Sequence, residues 1–206
     1  MDYIRVEHIR DDVIAIRPVY SDEGDVSEVI TRSGEVLTDR RQIRSVLKGL
    51  LHSYGLDIKY QHQIIKERLQ RKSVMPCFLS EERVFIPLKM RKAAVPGDHV
   101  YGYLDVGSLK EIPSEGKSNC LLLLSNGACL DVLSSKATVL KAQDSGNKLK
   151  KILNDKRRHG ENEHSRRLLE LSLKLGQTLS GIMEQIDRIE QGISYVQEEM
   201  SRRGIR

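Results

Sequence analysis

The chain lacks tryptophan, and phenylalanine occurs only twice in 206 residues. Aromatic side chains make up 4% of it, so its core must come from Val, Ile and Leu. The same shortage argues against a stacking platform for single-stranded nucleic acid, which works through aromatic faces. Cysteine is scarce as well. Cys77, Cys120 and Cys129 are odd in number and irregularly spaced, the pattern of buried thiols in a cytoplasmic protein rather than of a disulfide framework. No apolar run approaches the ~18 residues of a membrane span. The opening MDYIRVEHIRDD has none of the features of a secretory signal.

Catalytic signatures are missing too. The histidines at positions 8, 52, 62, 99, 159 and 164 form no HExxH. His159 and His164 lie in a polar stretch that makes a poor metal site. There is no CxxC, and neither GxGxxG nor GxxxxGK[ST] occurs to cradle a phosphate. Ser125 lacks the G-x-S-x-G frame of a nucleophile elbow. These absences point away from an enzyme. No cofactor, metal or small-molecule ligand is expected.

Charge, by contrast, is plentiful. Asp, Glu, Lys and Arg make up 31% of the chain, and the net charge is +5. It is unevenly spread. Residues 1–39 carry 4 basic and 10 acidic side chains, whereas residues 40–92 carry 13 and 4. Residues 93–135 are acidic again, and residues 136–167 hold 10 basic against 4 acidic side chains. Two concentrated basic blocks suggest a polyanionic partner. The plainer alternative is a solvated surface whose charges balance in three dimensions.

The local patterns predict an α+β fold: a strand-rich antiparallel domain with one or two helices, followed by a long C-terminal heptad helix. DDVIAIRPVY (11–20) reads as a strand ended by Pro18. VSEVITRSGEVLT reads as a hairpin turning at Ser33-Gly34. A helix follows from about Asp39 to Tyr54, because Ile43, Val46, Leu47, Leu50 and Leu51 have helical spacing. Asp39 is placed to cap it and Gly55 to stop it. Residues 56–72 predict a second helix through Ile58, Ile64, Ile65 and Leu69, and residues 73–90 a hairpin around SEER. CLLLLSNGACLDV (120–132) predicts a hairpin on a two-residue Asn126-Gly127 turn. In that register Leu124 faces Cys129, Leu123 faces Leu130, and both faces are apolar, which places the hairpin mid-sheet, covered on both sides or packed against a second subunit. SSKATVLKAQDSGNKLKKIL has helical composition with a break near Ser145-Gly146.

NDKRRHGENEH (154–164) contains no apolar residue and reads as a basic linker between a domain at 1–153 and a helix at 165–203. In that helix Leu168, Leu175, Ile182, Ile189 and Val196 recur every seven residues. Ser172, Leu179, Ile186, Ile193 and Met200 follow the same period, offset by four. This is a coiled-coil seam about 50 Å long. Leu175, Leu179, Ile182, Ile186, Ile189, Ile193 and Val196 are its candidate oligomerisation residues, and the Leu/Ile mix leans toward trimers or tetramers. Gly176, Gly181 and Gly192 weaken the helix by about 1 kcal/mol each. The alternative is a helix lying on the globular domain.

Candidate nucleic-acid contacts come from charge. RRQIRSVLK puts Arg40, Arg41, Arg44 and Lys48 mostly off the apolar face of the first helix. RLQRK (68–72) and LKMRK (88–92) flank one predicted hairpin at its open ends, so Arg71, Lys72, Lys89, Arg91 and Lys92 should cluster. Such clusters neutralise phosphates and release counterions.

From residue 8 to residue 153 the order of features resembles the ComK family of competence transcription factors. The resemblance is carried by HIRDDVIAIRP, VSEVI, RSVLKGLLHSYG, MPCFLSEERVFIPL, VYGYLDV and LLLLSNGACLDVLSS with its trailing KAQ. It implies a sequence-specific activator in a spore-former-type bacterium, binding A/T-rich boxes as a multimer, largely from the minor groove. Two features depart from the family pattern. The family has a Trp near the VYGYLDV strand, and the heptad helix stands in place of its ordinary C-terminal tail. The combined expectation is a cytoplasmic homo-oligomer acting on A/T-rich double-stranded DNA. A protein-interaction scaffold working through the coiled coil is the alternative.

Overall fold

The computed structural model describes residues 3–22, 24–69, 74–115, 118–155, 171–175, 178–179 and 182–183. The chain divides into two compact units, Met1–Asn154 and Asp155–Arg206. The first unit is α+β with antiparallel sheets. A short 3-10 turn at Val6–Ile9 precedes β1 (Val13–Ser21), β2 (Gly24–Thr31) and β3 (Val36–Asp39). Helices α1 (Ile43–Ser53) and α2 (Ile58–Leu69) follow, then β4 (Cys77–Phe78), β5 (Val84–Lys89) and β6 (Tyr101–Asp105). These six strands form one antiparallel sheet in the order β3-β2-β1-β6-β5-β4. β7 (Leu109–Glu115), β8 (Cys120–Leu124) and β9 (Cys129–Val132) form a second, three-stranded meander. Helix α3 spans 136–155.

The period of two along a strand sets how these parts pack. In β5, Val84 and Ile86 enter one core while Phe85 enters another. Both faces of the large sheet are therefore covered. Over one lie Leu122, Leu124, Leu130 and Val132 of the small sheet, with Val139 and Leu149 of α3. Over the other lies α1, which buries Ile43, Val46, Leu47, Leu50 and Leu51 in the spacing read from the sequence. At the edge, α2 covers β4. The buried Gln61 side chain donates to the Phe78 carbonyl (2.7 Å) and accepts from the Phe78 amide (3.0 Å), pairing an edge strand that would otherwise stay open.

Several local expectations are corrected. The 120–132 hairpin is slipped by one residue. Leu122 pairs with Leu130 and Leu123 with Cys129, around a three-residue loop Ser125–Gly127 with Gly127 at φ 84°. Here Leu124 N–H bonds the Ala128 carbonyl at 2.9 Å and Gly127 N–H the Leu124 carbonyl at 3.0 Å. The β2–β3 turn repeats that pattern at Thr31, Gly34 and Glu35. The two tips meet where Asn126 Nδ2 donates to the Thr31 carbonyl at 2.9 Å. A one-residue slip exchanges the faces of one strand relative to the other. Cys120, Leu122, Leu124, Leu130 and Val132 are consequently buried together, while Cys129 and Asp131 share the outer face and are exposed. Within one copy of the chain, the hairpin is buried on one side, and Leu121 and Leu123 on the other are partly buried.

Pro18 does not end β1. It lies within the strand opposite Ser27, beyond Ala15 and Ile16, where the β6 pairing stops and no ladder N–H is needed on that side. Asp39 does not cap α1, whose N-cap is Gln42 with no side-chain cap bond. Gly55 does supply the left-handed stop, at φ 70°. Nor does Gly146 break α3. A Cβ there would sit 2.7 Å from Ile86 Cγ2, so glycine lets the helix approach the sheet. Cys77, Cys120 and Cys129 are in no disulfide; the first two are buried and the third exposed.

Leu175, Leu179 and Ile182 fall on helical residues and are 64%, 60% and 47% exposed. Ile186, Ile189, Ile193 and Val196 lie outside the described residues, as do most of the heptad stretch and residues 156–164 of the linker. Among the described residues, no helix is long and apolar enough to cross a membrane.

Gly102 marks the tightest approach in the large sheet, since a Cβ there would come 2.6 Å from the Ile16 carbonyl oxygen. Gly102→Ala should destabilise the protein by about 1–3 kcal/mol. Gly107→Ala, where the added carbon makes ordinary contact at 3.8 Å, should stay within about 0.5 kcal/mol. Urea midpoints of the two variants check the difference.

Candidate nucleic-acid interface

The cations chosen from the sequence separate into two groups. Arg41 and Arg91 are spent inside the fold. Arg41 grips Glu7 with both terminal nitrogens at 2.7 Å, and reaches Asp39 through Nε at 2.9 Å and Nη2 at 2.6 Å. Asp39 is 1% exposed and also accepts the Val6 amide at 3.2 Å. The network therefore ties the N-terminal turn to β3. It explains why α1 carries Gly49 mid-helix, since a Cβ there would collide with the Glu7 carboxylate. It also explains why Asp39 is unavailable as a cap.

Arg91 is 8% exposed. Its Nη1 meets Asp25 at 2.5 Å, its Nε donates to the His99 carbonyl at 2.9 Å, and its guanidinium lies 4.0 Å from the centre of the Tyr20 ring. Arg91, one member of the cluster expected at the hairpin's open ends, is thus committed to Asp25, His99 and Tyr20. Residues Arg71 and Lys72 lie outside the described residues.

The second group faces outward. Arg44 and Lys48 are exposed on α1, one turn apart. The exposed Lys89 and Lys92 bracket the end of β5. None of these four has an ion-pair partner among the described residues. Arg40 is also exposed, its guanidinium 3.8 Å from the centre of the Tyr3 ring.

The fold adds basic residues absent from the set chosen on sequence. Lys59 and His62 of α2, and His99 ahead of β6, converge with Arg44 and Lys48 around a cleft of about 630 Å³. Burial, and next the charge of Arg44, push His99 below its ordinary value. Helix α3 contributes the exposed Lys141, Lys148 and Lys151, with Lys148 paired to Asp144 at 2.8 Å. No sequence signal marks Lys59 or His99 as neighbours of Arg44, because the contact is made only when two helices and a strand lead converge. Among the described residues, no group of three or more His, Cys, Asp or Glu is placed to hold a metal.

Hydrogen bonds from Arg41 hold Glu7 below its ordinary carboxylate value. Burial pushes Asp39 upward, but bonds from Arg41 and the Arg41 and Val6 amides outweigh it and leave the group lowered. Stabilisation from both is fully present above the unfolded carboxylate range and is lost as pH falls through the folded values. Asp105, raised by burial, acts in the opposite sense: its contribution is present in acid and lost as pH rises through its folded value. Arg41→Ala strands a buried carboxylate and should cost about 3–5 kcal/mol near neutral pH. Its stability should also fall less steeply on acidification than that of the parent, measured by urea midpoints from neutral pH down to about pH 3.

Comparisons of the chain with protein-family models, with curated proteins and with solved structures find no match.

Proposed function

We propose that the chain is a sequence-specific, DNA-binding transcriptional regulator that engages A/T-rich duplexes as a homo-oligomer. The observation that carries this reading is a group of exposed cations on α1, α2 and around the end of β5 without acidic partners among the described residues: Arg44, Lys48, Lys59, Lys89 and Lys92. Exposed lysines and arginines in this number neutralise phosphates and give salt-dependent affinity. The resemblance to the competence activators supplies the A/T-rich target and the multimeric mode. Arg40 on the same segment is retained as a contact, whereas Arg41 and Arg91 act by holding the surface in shape. The heptad repeat supports self-association, which places several weak basic surfaces on one duplex and raises affinity through avidity.

A scaffold reading has its own support. Leu171, Leu173, Leu175, Leu179, Ile182 and Met183 are all large apolar side chains between 47% and 65% exposed. A helix presenting so much apolar surface suits a partner helix. In that reading the basic surface is only solvated.

Titration against two duplexes of equal length, one rich in A·T tracts and one in G·C, at several salt concentrations separates the two. The regulator reading expects an A/T preference and a steep salt slope. Lys48→Glu and Lys89→Glu should each lower the slope by about 1. Replacing Ile182 and Ile189 with Asp should dissociate the oligomer and weaken binding by about 10²-fold or more. Binding that is equal on both duplexes and shallow in salt, with function lost only in the Ile182/Ile189 variant, overturns the regulator in favour of the scaffold.

A further inference from the structure

The cleft between α1, α2 and the segment entering β6 has a chemistry of its own. Its inner wall is formed by Ile43, Leu47, Ile58, Val100, Tyr101 and Tyr103. Arg44, Lys48, Lys59, His62 and His99 also line it, and both lysines and the arginine are exposed. Among the described residues Asp98 is the only acidic one in the lining, and its Oδ2 already accepts from the Tyr20 hydroxyl and from the Ala94 and Val95 amides at 2.8 and 2.9 Å. The cleft therefore pairs an apolar wall with uncompensated positive charge.

Its size and lining narrow the occupant. About 630 Å³ lies within the range of small-molecule sites. A duplex cannot enter such a space. A second cavity of about 220 Å³ shares Val74 and Tyr101 with the first and is otherwise lined by Pro76, Pro87 and Thr138, Lys141, Ala142 and Ser145 of α3. The wall is apolar, with aliphatic Ile43, Leu47, Ile58, Val74 and Val100 beside the two tyrosine rings. Apart from the charged groups, Asp98, the imidazoles of His62 and His99 and the two tyrosines, the side chains lining it are aliphatic.

We propose that this cleft binds a small anionic amphiphile. Its aliphatic chain lies along Leu47, Ile58, Val100 and Tyr101, and its carboxylate or phosphate head is held by Arg44, Lys48 and Lys59. The site stands apart from the DNA-binding reading, because it is defined by its wall as well as its charge. Arg44 and Lys48 nevertheless belong to both surfaces, so a bound head group would compete with DNA phosphate at those two residues.

The test is calorimetric titration of the full chain with monomeric dodecanoate and with dodecyl phosphate, each below its micelle concentration. Dodecyltrimethylammonium and adenosine monophosphate serve as comparisons. Saturable one-to-one binding of either anionic chain is expected, the better of the two identifying the head group. Lys48→Glu and Arg44→Glu, both on exposed side chains, should each weaken it about tenfold. Val100→Trp, which fills the cleft, should abolish it, and its urea midpoint reports whether it folds. If it does not fold, the charge reversals and the head-group comparison decide. Equal binding of the trimethylammonium chain, indifference to both charge reversals, or no saturable binding of either anion would overturn the proposal. Binding of adenosine monophosphate alone would overturn it in favour of a nucleotide site. None of these readouts involves DNA, so the proposal and the regulator reading fail separately.

Discussion

The alternation of Val84, Phe85 and Ile86 along β5 is the constraint on which the first unit rests. Because neighbouring residues feed opposite cores, the large sheet needs a cover on each face. One cover is the small sheet, reached through the tight Val106–Ser108 turn, where Asp105 accepts the Gly107 amide at 3.3 Å. The other is α1. Two glycines follow from the same demand: Gly102 where β6 crosses β1, and Gly146 where α3 meets Ile86 and Val106. Each leaves room for main chain or core side chains that a Cβ would displace. The β1 irregularity between Val13 and Ala15 fits the same frame, since it lets Ile14 and Ala15 both enter one core.

Charge is divided along the same lines. The guanidinium groups that lie within the fold each tie segments far apart in sequence. Arg41 joins the N-terminal turn to the end of β3, Arg91 joins β2 to the lead into β6, and Arg83 bonds the carbonyls of Arg10 and Val13 and the Tyr54 hydroxyl. A planar fork with several donors suits this work, because it satisfies buried carboxylates and carbonyls at once. Lysine, a compact and strongly hydrated charge, stays outside. The outward set includes Lys48, Lys59, Lys89 and Lys92 with Arg44, together with Lys141, Lys148 and Lys151 of α3.

Helix α1 connects stability to both functional readings. One stripe of it fills a core with Val46, Leu50 and Leu51, while Arg44 and Lys48 project from another. Leu47 lies between the two, nearly buried yet lining the cleft. The packing that fixes the helix also fixes the spacing of its cations relative to Lys59 and His99. A polyanion at the surface and an amphiphile in the cleft would use the same scaffold.

Local pattern alone determined a good deal. The helical spacing from Ile43 to Leu51, the stop at Gly55, the turn at Ser33-Gly34 and the antiparallel, strand-rich character all follow from contacts within a few residues, where side-chain period and backbone preference act directly. The seven-residue repeat is likewise a property of sequence. What only the tertiary structure decided involves partners far away in the chain. Asn126-Gly127 marks a hairpin but not its register, which accompanies a three-residue loop and a bond from Asn126 to Thr31 across 95 positions. Asp39 has the composition of a cap and becomes a buried anion because Glu7, Arg41 and Val6 meet there. Arg91 and Lys92 are adjacent and equally basic on paper, yet one is buried against Asp25 and Tyr20 while the other is exposed. The cleft was illegible for the same reason: its wall and its cations are drawn from three elements, and only burial of both faces of the sheet brings them together.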